Sequence, residues 1–561
     1  MKKANDYFFV PKSSEEKKAY QNQVHQKITS NIIEIHFSNL KKLQKNYIQQ
    51  APTFCVSCQA ALNYLSVIKQ RDGQTVWQCE FCDYINPLST EYKNNMIAKE
   101  QDIFYMLEKQ NEQKKMKDQQ KKEEEEQKQS KNQEYQMDVE DNNDADFNDQ
   151  RTIIFCLDNS GSMSSGTVFK DEDGQSKYMS RKACVEKAIQ SQITQMQKKF
   201  PNRKVGIVLF SKDVTVLGDC QSPPVTISKE GSFEKLFELG QNSYENLFKN
   251  NVSQVNNMPQ KYKEIRTNGS TALGPGLAVS LGLASQSPQS GSSIILCTDG
   301  LANEGIGKLE DQKDYATYEK MGQLAKSLGI LIHTITMRGN ESDVRVLGKL
   351  SDTTGGRTSR VGPADFNSNF IELVQSDLVA TKVEIVVQLH EGLVMIEGSP
   401  HTDLGNATEN SSITYQYAVK DEYDFKGRQQ IPIQSKIFFS TLQGDKMVRV
   451  ITQEQRITYE YKQAVQDVQI NILSKHANRV NAQQALFGSV PQAQQQQALW
   501  GSFIKNQVQP NNSSQQAHYN EYQQQHQKLD NAINKKIAHK EKKDIKNEEL
   551  DDADQDFFDQ F

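Results

Sequence analysis

The stretch RTIIFCLDNSGSM, Arg151 to Met163, reads as an apolar β-strand that runs straight into a polar turn. Its apolar residues do not alternate with polar ones, as befits a strand covered on both faces. The turn offers the Asp158 carboxylate and the Ser160 and Ser162 hydroxyls in close succession. Such a set suits a small, hard cation that takes oxygen ligands in octahedral array and keeps some waters, and magnesium is the natural candidate.

Outward from this strand, apolar runs alternate with helical patterns. Thr152–Leu157, Lys204–Phe210, Asp213–Leu217, Ser292–Cys297, Ile330–Thr336 and Arg357–Val361 are the expected strands. Helices are expected near 177–199, 274–285, 312–328, 342–352 and 364–379. The order predicts a multidomain α/β chain whose residues 151–380 form a doubly wound parallel sheet with helices on both faces. In such a sheet the carboxyl ends of neighbouring strands gather at the switch point. Two further loops can therefore converge on the Asp158 turn: Gly269-Ser270-Thr271-Ala272-Leu273-Gly274, before a helix, and Ile294-Ile295-Leu296-Cys297-Thr298-Asp299-Gly300, which ends a strand in an aspartate.

This constellation resembles the von Willebrand factor A (vWA) domain and its metal-ion-dependent adhesion site. The resemblance implies that Asp158, Ser160, Ser162, Thr271 and Asp299 hold magnesium. It also implies that an acidic residue of a protein partner completes the coordination, and that the domain binds rather than catalyses. Taken singly, each of the five would serve as an ordinary turn or cap residue. All five in order carry the reading. Asn159 and Met163 are left as lining residues.

Eight cysteines occur in the chain. Cys55, Cys58, Cys79 and Cys82 give C-x2-C-x20-C-x2-C, a spacing that closes a tetrahedral thiolate shell around zinc. With all four positions taken by sulfur, this zinc is expected to be structural. A ubiquitin-ligase RING would need a second such site, and no histidine lies between His36 and His333 to help build one. Cys156 and Cys297 should be buried as small apolar side chains.

The residues around the zinc ligands carry a second resemblance. Cys58-Gln59-Ala60-Ala61-Leu62-Asn63 and Trp77 to Asn86, WQCEFCDYIN, look like the zinc finger of the COPII vesicle inner-coat subunits. The order that follows is similar too: finger, A-type trunk, β-sandwich, helical segment. The strands Ser435–Phe439 and Val448–Thr452 resemble the sandwich's closing strands. The chain departs from the coat in keeping a complete metal site and in leaving no room for a gelsolin-like domain.

This gives a map of residues 1–50 as an N-terminal segment able to add to the sandwich, 51–90 as the four-cysteine zinc finger and 105–150 as a charged, disordered linker. The vWA domain follows at 151–380, an antiparallel β-sandwich at 381–460, a helical segment at 461–506 and a low-complexity tail at 507–561. Ile32–Phe37 fits an edge strand or a helix equally well. Phe557, Phe558 and Phe561 among carboxylates read as a solvated tail, with a short docking peptide as the alternative.

A formal net charge of −5 over 561 residues gives no general attraction to nucleic acid. The N-terminus has no apolar signal core, and no stretch approaches the ~18 apolar residues that span a bilayer. A cytoplasmic protein without a transmembrane segment is expected, peripheral at most on ER or vesicle membranes. The histidines form no catalytic grouping, and there is no GxxxxGK[ST] phosphate loop, so neither hydrolase nor GTPase chemistry is expected. The leading expectation is a non-catalytic protein-binding protein with a magnesium-dependent vWA domain and a structural zinc finger. The alternative is a coat-like component of COPII-type vesicle transport with a vestigial metal site, and a ubiquitin-pathway or other enzyme stands last.

Overall fold

The computed structural model describes residues 1–40, 47–88, 100–109, 149–170, 176–309, 314–337, 344–361, 370, 378–466, 468–487 and 490–541. The chain divides into two compact units. One holds Glu108–Lys382 with Ser440–Lys446, and the other holds Met1–Leu107, Val383–Phe439 and Met447–Phe561.

The first unit is built on a seven-stranded sheet. In spatial order its strands are Val225–Ile227, Val214–Gly218, Lys204–Phe210, Thr152–Asp158, Ser293–Thr298, Leu331–Met337 and Thr358–Val361. The five strands from Lys204–Phe210 to Thr358–Val361 run parallel. Chain order reverses at Thr152–Asp158, which makes its carboxyl end the switch point. Side chains divide by parity. Ile154 and Cys156 enter a core with the helices Phe233–Leu247, Leu273–Ala284 and Tyr315–Leu328, whereas Ile153, Phe155 and Leu157 enter another with Arg181–Lys199 and Met258–Glu264. Both faces are thus covered, which explains the uninterrupted apolar run.

Helix Leu273–Ala284 is buried at every position. Glycines let it cross Phe233–Leu247 backbone to backbone: a Cβ at Gly240 would stand 2.3 Å from the Val279 carbonyl oxygen, and one at Gly282 only 2.0 Å from that of Phe237. Helices Phe233–Leu247 and Met258–Glu264 were not expected from the sequence, nor was the hairpin Gly166–Lys170/Ser176–Ser180 that takes the place of the first turn of a helix beginning at 177. The expected helix 364–379 falls almost wholly outside the described residues.

In the second unit, a four-stranded antiparallel sheet contains Lys2–Lys3, Ile32–His36, Ser412–Val419 and Leu393–Glu397. A larger sheet contains His401–Thr408, Leu378–Leu389, Gln430–Ser440, Lys446–Thr458 and Tyr7–Phe9, with Asp102–Glu108 beside Lys446–Thr458. The ambiguous patch at Ile32 is therefore a strand, and the N-terminal segment does supply strands to both sheets. One strand from outside 381–460 runs the other way, because Tyr7–Phe9 of the N-terminal segment joins Lys446–Thr458 in parallel. One expectation needs correction. The linker does not begin at 105, because Phe104 and Tyr105 are buried in the strand Asp102–Glu108; residues 110–148 lie outside the described residues.

The tail from 507 needs a second correction. Ser513–Glu541 is one helix, packed with helices Ile470–Phe487 and Val490–Gln507. Tyr522 and Leu529 are buried, and Tyr522 shares a core with Trp500, Ile504, Leu473 and Ile32. Sparse apolar residues at helical spacing suffice here, because two other helices supply the rest of the core. The acidic Phe-containing end at 551–561 lies outside the described residues. Replacing Tyr522 by Ala should cost about 3 kcal/mol by opening a cavity, measured as a shift in urea midpoint; a solvated tail would show no change.

Candidate metal centres

The turn after the central strand is held by its own polar groups. The Ser160 N–H donates to Asp158 Oδ1 at 2.8 Å, folding the chain back over the carboxylate. The Asn159 N–H donates to the Phe210 carbonyl at 2.8 Å, and the Gly161 N–H to that of Gly269 at 3.2 Å. A 3-10 turn over Gly161–Ser164 then brings Ser160 Oγ and Ser162 Oγ to 2.9 Å. Ser162 Oγ donates to Asp299 Oδ1 at 2.6 Å, across 137 positions of sequence. Asp158, Ser160, Ser162 and Asp299 thus form one hydrogen-bonded cluster at the switch point.

Thr271 is buried on a loop tied to the same turn. Two residues before it, Gly269 accepts from Gly161. Its own N–H is held by Asn303 Oδ1 at 2.8 Å, and the next N–H, of Ala272, by the Ser211 carbonyl at 2.8 Å. Asn159 donates through Nδ2 to the Arg266 carbonyl at 3.0 Å, and Met163 is a core residue. Cys156 and Cys297 are fully buried, as expected.

Asp158 and Asp299 are both fully buried. Burial is the largest cause pushing the Asp158 carboxyl up to about 6; the Asp299 charge adds to it, and hydrogen bonds from Ser160 and Thr298 oppose it. Thr298 Oγ1 donates to Asp158 Oδ2 at 2.8 Å, and Arg181 Nη1 to Asp299 Oδ2 at 2.8 Å. Thr298, Arg181 and Asn303 are the site residues that sequence reasoning missed. Thr298 stood in the quoted CTDG run, whereas nothing in the sequence tied Arg181 or Asn303 to the turn.

The donor set fits a magnesium-sized ion. With metal–oxygen bonds of 2.0–2.1 Å, adjacent ligands of an octahedron stand about 2.9–3.0 Å apart, and the two serine oxygens stand 2.9 Å apart. Ser162 can donate to Asp299 and still turn a lone pair to a cation.

The four-cysteine site is built from two matching knuckles. The Gln59 N–H returns to the Cys55 carbonyl at 2.9 Å, and the Asp83 N–H to that of Cys79 at 2.8 Å. Gln59 and Asp83 both take the left-handed conformation, with φ of 63° and 56°. The sulfurs of Cys55 and Cys82 stand 3.7 Å apart, those of Cys58 and Cys79 3.6 Å, and all four lie within 4.8 Å of one another. Zinc–sulfur bonds of 2.3 Å give a tetrahedral edge of about 3.8 Å, so the cage has the size of zinc. The Cys58 thiol is drawn down to about 5, chiefly by its hydrogen bond with Cys79, while burial pushes Cys82 up to about 11.

The sandwich grips the finger at these knuckles. Arg428 Nη2 reaches both Asp83 oxygens at 2.8 and 2.9 Å, and Lys436 Nζ donates to the Gln59 carbonyl. Gln434 pairs with the Ala61 backbone in both directions, at 2.7 and 2.9 Å, and the Glu391 N–H donates to the Phe81 carbonyl at 3.0 Å.

With this geometry in view, residues 153–301 match the model of the von Willebrand factor type A domain, and residues 52–92 match that of the Sec23/Sec24 zinc finger. The chain joins a vWA domain to a Sec23/Sec24-type zinc finger. A curated relative, Circularly permutated Ras protein 1 of Dictyostelium discoideum, is 25% identical over 477 residues, covering 80% of this chain and 53% of the relative. The chain thus spans about half the length of the curated relative it matches. Among solved structures, the human COPII-coat protein Sec24c superposes with a TM-score of 0.58 at 12% identity, covering 89% of this chain and 67% of that one. The ArnB paralog VWA2 from Sulfolobus acidocaldarius gives a TM-score of 0.40 at 13% identity, covering 72% and 87%. The fold of the vWA and zinc-finger chain is therefore shared with a coat subunit. No helix among the described residues is long and apolar enough to cross a membrane.

Because the knuckles carry the contacts to Arg428, Lys436 and Gln434, zinc and sandwich stability should be coupled. Cys79→Ser should abolish zinc uptake, measured by atomic absorption, and lower the melting temperature by roughly 5 °C or more. Loss of zinc with an unchanged melting temperature would separate the two.

Proposed function

We propose that the chain is a non-catalytic protein-binding protein in which the vWA domain captures an acidic group of a partner through a bound magnesium ion. The observation that carries this reading is the single cluster of Asp158, Ser160, Ser162 and Asp299, with its serine oxygens 2.9 Å apart. Asp158, Ser160, Ser162, Thr271 and Asp299 would hold the ion, Asp299 in part through the Ser162 hydroxyl that donates to it. The ion would supply a charge that a carboxylate can ligate. The zinc finger and sandwich would act as a rigid scaffold, in a cytoplasmic protein.

A second reading is a coat-like structural component of COPII-type transport, peripheral on ER or vesicle membranes. The likeness to the Sec24c fold across 89% of the chain favours it. On that reading broad surfaces do the work and the metal site is vestigial. The name of the Dictyostelium relative refers to a Ras protein, but this sequence has no GxxxxGK[ST] run, so no GTPase activity is carried over.

Affinity capture with wild-type and Asp158→Ala protein separates the two. Metal-bridged binding predicts at least a tenfold to hundredfold loss of partner affinity in the variant, and the same loss for wild type in magnesium-free buffer. A coat-like assembly would survive both.

A pH dependence follows from the buried carboxyl. In the metal-free fold the Asp158 pKa is raised from 3.8 to about 6. The protonated form is thus the favoured one, and the metal-free fold gains about 3 kcal/mol as pH falls from above 6 to below 4. Protonation competes with the cation. The rise in melting temperature on adding magnesium should therefore be larger at pH 7.5 than at pH 5.5; equal rises would argue against Asp158 as a ligand.

A further inference from the structure

Asp299 is held from two sides. Ser162 Oγ donates to Oδ1 at 2.6 Å, and the Arg181 guanidinium donates to Oδ2 at 2.8 Å. The arginine side chain is only 13% exposed and the aspartate side chain 0%, so this ion pair is shielded from solvent screening.

The chain takes a detour to put Arg181 there. After the Asp158 turn it leaves as the strand Gly166–Lys170 and returns as Ser176–Ser180, with Ser180 opposite Gly166 in register. The Arg181 N–H then donates to the Ser165 carbonyl at 3.1 Å, closing the hairpin at its base. Ser180 caps the helix that follows, its Oγ accepting from the Ala183 N–H at 3.2 Å. Arg181 is thereby the first residue of helix Arg181–Lys199, beside the turn from which the hairpin departed.

That position is unfavourable for an arginine on local grounds. A helix N-terminus carries partial positive charge and favours carboxylates, yet the first turn of this helix has no acidic residue and opens Arg181-Lys182. The pairing with Asp299 must offset that cost, so the guanidinium is there for the carboxylate and not for the helix.

We propose that Arg181 is a resident counter-cation of the metal site: it neutralises Asp299 when no divalent ion is bound, and its charge sets how tightly such an ion is held. The inference rests on the hard-cation reading given above. The charge count shows its consequence. Two carboxylates and one guanidinium leave the site with a net single negative charge, sufficient to attract a divalent cation. With that cation in place the net charge becomes a single positive one, which matches one incoming carboxylate. Without Arg181 the loaded site would be neutral, binding metal more tightly and acidic partners less well. By Coulomb's law a fixed single charge repels an incoming double charge, and for any separation on the order of 5 Å this reaches roughly a factor of ten in affinity even at the dielectric constant of bulk water.

The experiment uses the full chain as wild type, Arg181→Gln and Arg181→Lys, with melting in magnesium-free buffer and calorimetric titration with magnesium chloride. Arg181→Gln is expected to melt roughly 5 °C or more below wild type without magnesium, because a buried charge has lost its partner. It should recover most of that loss in magnesium and bind the ion about tenfold more tightly, whereas Arg181→Lys, which keeps the charge, should bind it about as wild type does. Equal melting in magnesium-free buffer together with equal magnesium affinity would overturn the proposal. A destabilised Arg181→Gln protein, with no magnesium uptake by either form, would overturn the hard-cation reading itself while upholding Arg181 as the charge that Asp299 needs. Should Arg181→Gln not fold without magnesium, both proteins are folded in magnesium and titrated with EDTA: the variant must release the ion at a higher EDTA concentration than wild type, and equal release would overturn the proposal.

Discussion

Two carboxylates sit fully buried at the carboxyl edge of the vWA sheet, Asp158 at the end of the central strand and Asp299 one residue past its neighbour. The sheet places them there. Leu157 pairs in register with Cys297, so the chain positions that follow both strands emerge on the same edge at the switch point. Burying two like charges side by side is costly unless each is hydrogen-bonded and countered. The surrounding structure answers that demand. Ser160, Thr298 and Ser162 supply donors, the Gly269 loop closes over the turn, and the hairpin brings Arg181 back.

The zinc finger solves a related problem with a different chemistry. Among the described residues its core cluster holds Cys55, Ala60, Leu62, Trp77, Cys79 and Phe81 as buried apolar residues, too few to fold a module alone. Thiolates drawn to one metal replace that missing core. The shell is filled by protein sulfur, so the ion's role is to set backbone geometry. The left-handed residues Gln59 and Asp83 that result are the points at which Lys436 and Arg428 take hold. The vWA turn is different: if it holds the proposed magnesium ion, its hydroxyls and carboxylates from separate loops would leave room in an octahedral shell for water or a partner group.

Much of this was legible in the sequence. The zinc ligands were fixed by spacing, and the central strand by an apolar run ending in Asp158, because both signals are local. The loops of Thr271 and Asp299 were legible through the switch-point rule, and the role given to these two residues came from the resemblance to vWA domains, since no local property links them to residue 158. Arg181 was invisible, because its role arises from a hairpin whose pairing is a tertiary fact. The helix Ser513–Glu541 was missed for another reason: its glutamines and asparagines hid the sparse apolar positions, such as Tyr519 and Tyr522, that pack in a core with other helices. Tyr7–Phe9 is a three-residue strand, too short to show any period, and its parallel pairing with Lys446–Thr458 joins two distant parts of the sequence.

The metal turn is also self-sufficient in hydrogen bonds. Asp158 has a donor at each oxygen, Asp299 likewise, and the Ser162 hydroxyl, which donates to Asp299, accepts from Ser160. A site that lacked these partners would be frustrated without its ion, would bind it with the full free energy of relieving that frustration, and would release it slowly. Internal satisfaction narrows the difference between the loaded and metal-free states, because an entering cation must compete with bonds already made. On the proposed metal-bridging reading, a modest, exchangeable affinity would follow, and it would suit an ion that bridges to a partner better than one that serves as a permanent staple. The zinc cage, closed by four thiolates, stands at the opposite end of that range.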